Sequence, residues 1–454
     1  MVRCMAPAKL DATRIPAQVR EISRLVKAAG GGAWLVGGAV RDLALGFEPV
    51  DYDIATDLSP EVVATAIGSG QLDDARFGVC KIDGLPWPVS VTTLREEWDY
   101  RDHRRPNAVR FVNDITRDAS RRDFACNAIY ADCESGVMTD PCGGLADLET
   151  RRLRVIGDAA TRFADDPLRL LRMLRFEARL GLRADESAAA AARMTADGLR
   201  SLSAERVYSE LTKAFTGQGR GGALRRFVEL GFASRLLPEV AAMEGVPQPP
   251  QYHPEGCVLT HVGLVLDRIE EPSPELAWSA LLHDVGKPPT FRVAEDRIRF
   301  DGHDQLSASM AESILMRLRA PKEVRMAVTA ICRDHIRIAS LLQMRPRRRE
   351  AWLRDPLFPL HLAFHKADCL GSHGDLSIHA AAIRLLAALP PVRPALITGA
   401  DVRALGIAEG PVVGQLLRAV DEALDGMDPV DGTGPSREDA LAMLAQLAAA
   451  HVKH

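Results

Sequence analysis

Two aspartates one residue apart follow closely on a glycine pair in LVGGAVRDLALGFEPVDYDIATD, residues 35–57. Side chains at i and i+2 of a strand project to one face, so Asp51 and Asp53 stand together while Tyr52 and Ile54 turn to the core. Two adjacent carboxylates repel unless a cation neutralises them, and an all-oxygen donor set suits Mg2+. Gly37-Gly38, at a strand-to-helix turn, lets backbone amides approach a phosphate with no Cβ in the way. Arg41, one helical turn on, adds charge for the same anion. Together these parts describe a nucleoside triphosphate cradled by amides and clamped by metal, with an attacking hydroxyl activated and pyrophosphate leaving. A D-x-D pair alone also reads as a turn followed by two solvated aspartates. The glycines, the arginine and the T-D that follows, all in one short span, favour the chemical reading.

The elements that must position these groups alternate through the first third of the chain. AQVREISRLVKAAG (17–30) has helical spacing and a glycine stop. AWLVG (33–37) and VDYDIAT (50–56) read as strands around the short helix AVRDLALG. SPEVVATAIG reads as a helix with a Ser N-cap and Pro at its first position. GVCKI and WPVSVTT are two further strands joined by a GLP turn. From about residue 114 the pattern turns helical, over 114–129, 160–180, 187–200, 203–215 and on to the C-terminus. RVAEDRIRFDG (292–302) is the one later stretch readable as a hairpin. GVPQPPQYHPEG (245–256) and ALPPVRP (388–394) read as linkers. The expected class is α+β: a small mixed-sheet head over 1–150, an elongated helical neck over 151–245, a second helical domain over 246–385 and a helical tail over 386–454. A chain of 454 residues leaves room for roughly three domains.

The opening stretch resembles the head motif of the class II tRNA nucleotidyltransferase and bacterial poly(A) polymerase superfamily, and further motifs follow in order. RRDFACNAIY (121–130) resembles the RRDFTxNA element, with Ala125 and Cys126 as small substitutions. DPCGGLADLETRRLRVIGD (140–158) resembles the D-x-x-G-x-x-D-L element, DDPLRLLRMLRFEARL (165–180) the EDxxR helix, and LSAERVYSELTK (202–213) a later helical motif. The resemblance covers residues 33–215 and implies a polymerase-β-like head. It implies that Arg121, Arg122, Asp123 and Asn127 contact the nucleotide's phosphates and ribose, where the residues alone also suit a capped, exposed helix. Pro167 fits the first turn of a helix, which puts Asp166 and Arg169 at i, i+3 on one face. A carboxylate beside a guanidinium offers acceptors and donors to the edge of cytosine or adenine, and the resemblance implies that this pair selects the base without a template. The same spacing suits an ordinary surface ion pair. Arg169, Arg172 and Arg175 continue as a basic stripe, readable as a contact for an RNA backbone or as solvated arginines on a core helix. Relatives carry an acid where Ser90 stands and Glu where Asp165 stands. They also have a mobile loop where TTLREEWDYRDHRRPNAVRF (92–111) lies, and its full length implies addition of the terminal A.

Nine of the twelve histidines fall between 253 and 379. YHPEGCVLTHVGLVLD, LLHDVGKPPTF, RFDGHDQLSA and HKADCLGSHGDL resemble an HD-type phosphohydrolase domain. Its lone His, HD doublet and late Asp match His261, His283-Asp284 and Asp368. Imidazole and carboxylate ligands suit a divalent transition metal such as Ni, Mn or Co, and a bound water could then attack a phosphoester. His303 and His335 are further candidate ligands or phosphate contacts, and Lys287 follows the doublet through a glycine. The alternative is a helical body that keeps the fold without metal and supports RNA. LITGADVRALGIAEGPVVGQLLRAVDEAL resembles the C-terminal helical piece of HD-containing members. RPRRR (345–349) reads as a backbone contact or a solvated basic loop.

A net charge of −4 and a pI of about 6.3 require any nucleic-acid site to be a local basic patch. The eight cysteines have no C-x-x-C spacing, there is no signal-like start, and no 18-residue apolar run occurs, so a cytoplasmic protein is expected. The reading is an Mg2+-dependent, template-independent nucleotidyltransferase that adds C and A to tRNA 3′ ends from CTP and ATP. A poly(A) polymerase shares the head motifs, but the HD-type segment and the merely mixed ending HVKH argue against it. Addition of CC alone or A alone stays open, as does a metal phosphohydrolase whose head binds RNA.

Overall fold

Strand segments with period-two burial build the sheet that carries the aspartate pair. The strands are β1 (Ala33–Val36), β2 (Tyr52–Thr56), β3 (Gly70–Asp74), β4 (Val79–Ile82), β5 (Val89–Thr93), β6 (Arg95–Trp98), β7 (Ala108–Phe111), β8 (Tyr130–Asp132) and β9 (Met138–Thr139). Seven of them form a mixed sheet in the order β3-β4-β5-β2-β1-β8-β9, in which only β2 and β5 run parallel. The computed structural model describes residues 9–451 apart from 69, 99–107, 252, 296–297, 390–394 and 425–434. Register puts Leu35, Ile54 and Val91 in one row and Val36, Asp53 and Ser90 in the adjacent row on the opposite face. The first row is fully buried. Helix α1 (Ala17–Ala28) turns Val19, Ile22 and Val26 inward at helical spacing, each burial stabilising by about 1.5–3 kcal/mol. It packs on β1 and β2 beside α3 (Pro60–Ile67), which opens at Ser59-Pro60 as expected. Between β1 and β2, α2 (Gly38–Ala44) follows Gly37, whose φ of +76° suits glycine alone.

The helix expected over 114–129 is short. α4 (Ile115–Arg121) is capped by Asp114, after which Arg122 is extended and Ala125–Asn127 forms one tight turn before β8. Pairing outside the segment overrides its helical pattern: Phe124 bridges to Val155, and the Ala125 N–H donates to the Arg154 carbonyl at 2.9 Å. In the 92–111 stretch, β6 and β7 form an antiparallel hairpin, and its tip lies outside the described residues.

After α5 (Gly144–Glu149), the helix expected over 160–180 is two: α6 (Ala159–Asp165) and α7 (Leu168–Leu180). Pro167 forces the residue before it out of the helical region, and Asp166 is extended at φ −141°, ψ 95°. Asp166 and Arg169 therefore do not share a helix face. Helices α8 (Glu186–Thr195), α9 (Ala204–Thr216) and α10 (Arg220–Glu229) follow, with α7 packed on α9 and α10. Buried Glu177 of α7 accepts from Arg226 of α10 at 3.0 Å and from the Ala184 N–H at 2.9 Å.

The chain divides into two compact units: residues up to Arg333 with Ala367–His373, and Asp334–Lys366 with Gly374–His454. The first holds the head, α6 to α10 and the helices Val258–Arg268, Pro274–Leu282 and His303–Arg317; the hairpin near 292–302 pairs Arg292–Val293 with Ile298–Arg299. Among the described residues the second is helical throughout its regular structure, with one core around Trp352 and Phe358 and another around Val402, Val420 and Leu444. Of the RPRRR cluster, Arg347 pairs with Asp421 at 3.2 Å and Arg348 with Glu422 at 3.3 Å. Among the described residues no helix is long and apolar enough to cross a membrane.

Candidate active site and metal centre

The end of β1, the start of α2 and the start of β2 converge on a cleft of about 480 Å³. One wall belongs to the head: Gly37, Gly38, Arg41, Asp51, Asp53, Arg122, Asp123 and Asn127. The other belongs to α7 and α9: Arg172, Arg175, Phe176, Arg179, Lys213 and Thr216. Asp51 just precedes β2, and its carboxyl titrates above the usual range because it is desolvated and faces the like charges of Asp53 and Asp42. Asp53 accepts a 2.6 Å hydrogen bond from Ser90 Oγ, its cross-strand neighbour on β5. A Cβ on Gly37 would lie 3.5 Å from Arg122 Nη1 and 3.9 Å from Asp53 Oδ2, so its backbone borders both charges.

The arginines are less free than their sequence suggests. Arg41 is buried; it donates to Asp42 at 2.6 and 2.9 Å and to Asn127 Oδ1 at 2.5 Å, and Arg179 holds the other oxygen of Asp42 at 2.8 Å. Arg172 does not stand on an outward basic stripe: it borders the cleft and binds Asp123 at 2.6 Å, while Arg175 pairs with Glu210 at 3.1 Å. Burial would raise the Asp123 pKa, but Arg172, Asn127 and the Phe124 N–H hold it well below the usual carboxylate range. Arg175 is pushed down to about 10 by burial and by neighbouring Arg172 and Arg41. The guanidiniums of Arg41, Arg172 and Arg175 stand 4.9, 5.2 and 4.5 Å from the centroid of Phe176. Crowded cations on one wall and repelling carboxylates on the other suit a polyanion that carries its own metal.

Asp166, Arg169 and Arg121 do not border this cleft. Arg169 donates to the carbonyls of Arg162 at 3.1 Å and Arg121 at 3.3 Å. Asp166 accepts from the Leu168 N–H at 3.2 Å and Arg206 at 3.4 Å, both on Oδ1. Arg121 and Arg122 meet at a residue that motif reading passed over. Asp118, fully buried, accepts from Arg121 Nε at 2.8 Å, Arg122 Nη2 at 3.1 Å, the Tyr130 hydroxyl at 2.6 Å and the Arg95 N–H at 3.1 Å. Burial alone would raise its pKa; the two arginines and Tyr130 take it far below the carboxylate range. Its place three and four residues before the arginine pair was the available signal. Phe176, Arg179, Lys213 and Thr216 carried no signal short of the fold.

The second cluster forms where Val258–Arg268, the end of Pro274–Leu282 and the segment Ala367–His373 meet. His261 Nε2 lies 3.3 Å from His283 Nε2, 3.0 Å from Asp368 Oδ1 and 3.8 Å from Asp284 Oδ2; His283 Nε2 lies 3.2 Å from Asp284 Oδ2. Ligand nitrogens at about 2.0–2.1 Å from a tetrahedral metal stand roughly 3.3 Å apart. His261, His283 and Asp368 can each offer one atom to one ion. Burial would lower the His261 pKa, but Asp368 and Glu255 raise it to about 9, so this ring sits in a field that calls for positive charge. Lys287 Nζ is 2.7 Å from Asp284 and donates to Gln248 at 2.6 Å, and His303 Nε2 is 3.4 Å from Asp284 Oδ1.

Three stretches of the chain match known family profiles. Residues 33–154 match the profile of the poly A polymerase head domain, 181–244 that of a probable RNA- and SrmB-binding site of polymerase A, and 255–355 that of the HD domain. The "Multifunctional CCA protein" of Halorhodospira halophila is 35% identical over 320 residues, 68% of this chain and 75% of that protein. The protein of that name from Aromatoleum aromaticum is 34% identical over 361 residues, 75% and 85% of the two chains. The crystal structure of the Bacillus stearothermophilus CCA-adding enzyme in complex with CTP superposes with a TM-score of 0.68 at 25% identity, covering 96% of this chain and 98% of that one. The Thermotoga maritima CCA-adding enzyme complexed with tRNA shares the fold, at a TM-score of 0.57 and 20% identity over 96% and 97% of the chains.

Proposed function

We propose, for a chain that belongs to the multifunctional CCA protein family, a template-independent tRNA nucleotidyltransferase that adds C and A to tRNA 3′ ends from CTP and ATP, releasing pyrophosphate. The observation that carries this reading is the single cleft in which Asp51 and Asp53 face the arginines of α7. Enzymes of this family depend on divalent metal, and the oxygen-only pair with its mutual repulsion fits Mg2+. A bound Mg2+ would supply charge to the α-phosphate and to the departing pyrophosphate.

The chain's own residues do the rest. Gly37 and Gly38 admit the triphosphate to the backbone, and Arg122, Arg172 and Arg175 receive its negative charge. Asp123 and Asn127, locked to Arg172 and Arg41, present a rigid edge for the ribose. The tRNA 3′ hydroxyl then attacks the α-phosphate in line, and catalysis is positioning plus electrostatics, with no covalent protein nucleophile. The base extends past the lined part of the cleft to Asp166, which reads it through Oδ2, since its hydrogen bonds among the described residues use Oδ1. Arg169, occupied by head carbonyls, braces that reader against the head. Arg172 and Arg175 serve the nucleotide more directly than the tRNA backbone. The reading keeps the division near residues 150, 245 and 385 and a cytoplasmic location with the tRNA pool.

The test is incorporation by the purified chain with Mg2+ on tRNAs ending before CCA, after C and after CC, each offered CTP, ATP or both. Products ending at a complete CCA support the proposal. Extension by CC or A alone makes the chain a partial enzyme, a long A ladder a poly(A) polymerase, and no incorporation refutes the transferase reading. The facing imidazoles support a second activity: a metal held by His261, His283, Asp284 and Asp368 for hydrolysis of a phosphoester at an RNA end.

A further inference from the structure

His261 is held on both sides of its ring. Nε2 faces the cluster, and Nδ1 faces away, 2.9 Å from Glu255 Oε1. The same carboxylate oxygen accepts from His253 Nδ1 at 2.9 Å, and the His253 ring abuts that of His261 edge-on, with centroids 4.8 Å apart. Glu255 comes from the Pro/Gly-rich segment before helix Val258–Arg268, yet its side chain is only 6% exposed. Among the described residues its second oxygen is buried with no hydrogen-bond partner, and His261 Nδ1, although 2.9 Å from the first, lies outside hydrogen-bond geometry, so Glu255 acts on that ring through its charge.

The other two histidines of the cluster follow the same plan. His283 Nδ1 lies 3.0 Å from the Ala280 carbonyl and His303 Nδ1 2.8 Å from the Phe300 carbonyl, while the Nε2 of each faces Asp284. In all three rings Nδ1 lies within 3.0 Å of an acceptor oxygen, hydrogen-bonded in His283 and His303 and beside the Glu255 charge in His261, which favours the proton there and leaves the Nε2 lone pair for the cluster. Only for His261 is that acceptor an ionised side chain. His253, Glu255 and His261 could themselves surround an ion, but that would take His261 through Nδ1 and turn an Nε2 proton into the cluster, against the pattern of the other rings.

We propose that Glu255 is a positioning residue for the histidine-rich centre: it holds the proton of His261 on Nδ1 and aims Nε2 at the metal. The inference rests on the reading of His261, His283, Asp284 and Asp368 as metal ligands. The test titrates metal-free full-length chain with Co2+, read by equilibrium dialysis and by the visible absorption of the bound ion. Glu255→Gln keeps the shape and removes the charge, so Co2+ affinity falls about 10- to 100-fold and the absorption band changes, while the far-UV circular dichroism is unaltered. Glu255→Asp recovers part of the loss. A folded Glu255→Gln chain with wild-type affinity and spectrum overturns the proposal. Wild type whose Co2+ uptake is indifferent to His283→Ala overturns the metal reading beneath it, and the proposal with it. If Glu255→Gln does not fold, histidine-labelled wild type loaded with Zn2+ decides: long-range 1H–15N spectra place the His261 proton on Nδ1 if the proposal holds, and a proton on Nε2 refutes it.

Discussion

Replacing Asp118 with Asn keeps the shape of a buried hub and removes its charge. Arg121 retains Glu97 at 3.2 Å, but Arg122 is left with the Tyr130 hydroxyl and the Asn127 carbonyl, and the new amide turns a donor toward groups that are already donors. Breaking a buried pair by removing one partner costs about 3–5 kcal/mol, which is two to four decades in an opening equilibrium. The damage should be local to the head, so a global melt of a two-unit chain is the wrong probe. Native-state hydrogen exchange resolved to peptides over β1 and β8 is the right one. Protection there should fall by two to four decades, with protection of helix Val258–Arg268 unchanged. The Asp118 pKa is lowered on folding, so its contribution is complete well above the unfolded-state value of 3.8 and lost only as pH falls below it. The difference between Asp118→Asn and wild type should therefore be flat from about pH 6 to 9. A loss of less than one decade, or a difference that grows across that range, refutes the hub.

Asp51→Asn with Asp53→Asn should cut nucleotide incorporation by about a thousandfold or more, the worth of several kcal/mol of metal-borne charge stabilisation. Heat should show no loss of stability, because the repulsion among Asp51, Asp53 and Asp42 is relieved; a lower melting point contradicts the electrostatic reading. Ser90→Ala removes a 2.6 Å bond to a partly exposed carboxylate, about 1 kcal/mol. It should lower kcat about fivefold with KM for CTP little changed, and an unaltered kcat would show that Asp53 needs no support from β5. Asp166→Ala should erode discrimination of CTP and ATP against UTP and GTP by roughly tenfold, at the low end for one lost base contact; an intact kcat/KM ratio removes Asp166 from base selection.

The aspartate pair and the glycine turn were legible because each is local, whereas the HD cluster, which brings His261 to Asp368 from a distant helix, was legible through its resemblance to a known domain. Alternation along the strand puts Tyr52 and Ile54 inward and Asp53 outward from the order of residues alone. The roles of the arginines were not legible, because their partners are distant: Asp42 meets Arg179 across 137 residues and Asp123 meets Arg172 across 49. Residues 114–129 read as helix because their pattern cannot show that Phe124 will pair with Val155. The break at Asp166 was legible in principle, since Pro167 both opens α7 and bars Asp166 from it. Reading only the first effect put Asp166 and Arg169 on one face.

The sequence turns from strands to helices at about residue 114, and the boundary expected near residue 150 is where a protein engineer would cut. The charges do not divide there. Asp42 and Asp123 of the head are closed by Arg179 and Arg172 of α7, and the carbonyl of Arg121 is capped by Arg162 and Arg169. A crossover at that visible seam would join acids of one parent to bases of another, fitted to different spacings. The stretch from about 33 to 180 keeps those four contacts but still opens Arg175–Glu210 and Glu177–Arg226, so an exchange between homologues has to run on through α10, and chimaeras cut inside that length inherit neither parent's cleft.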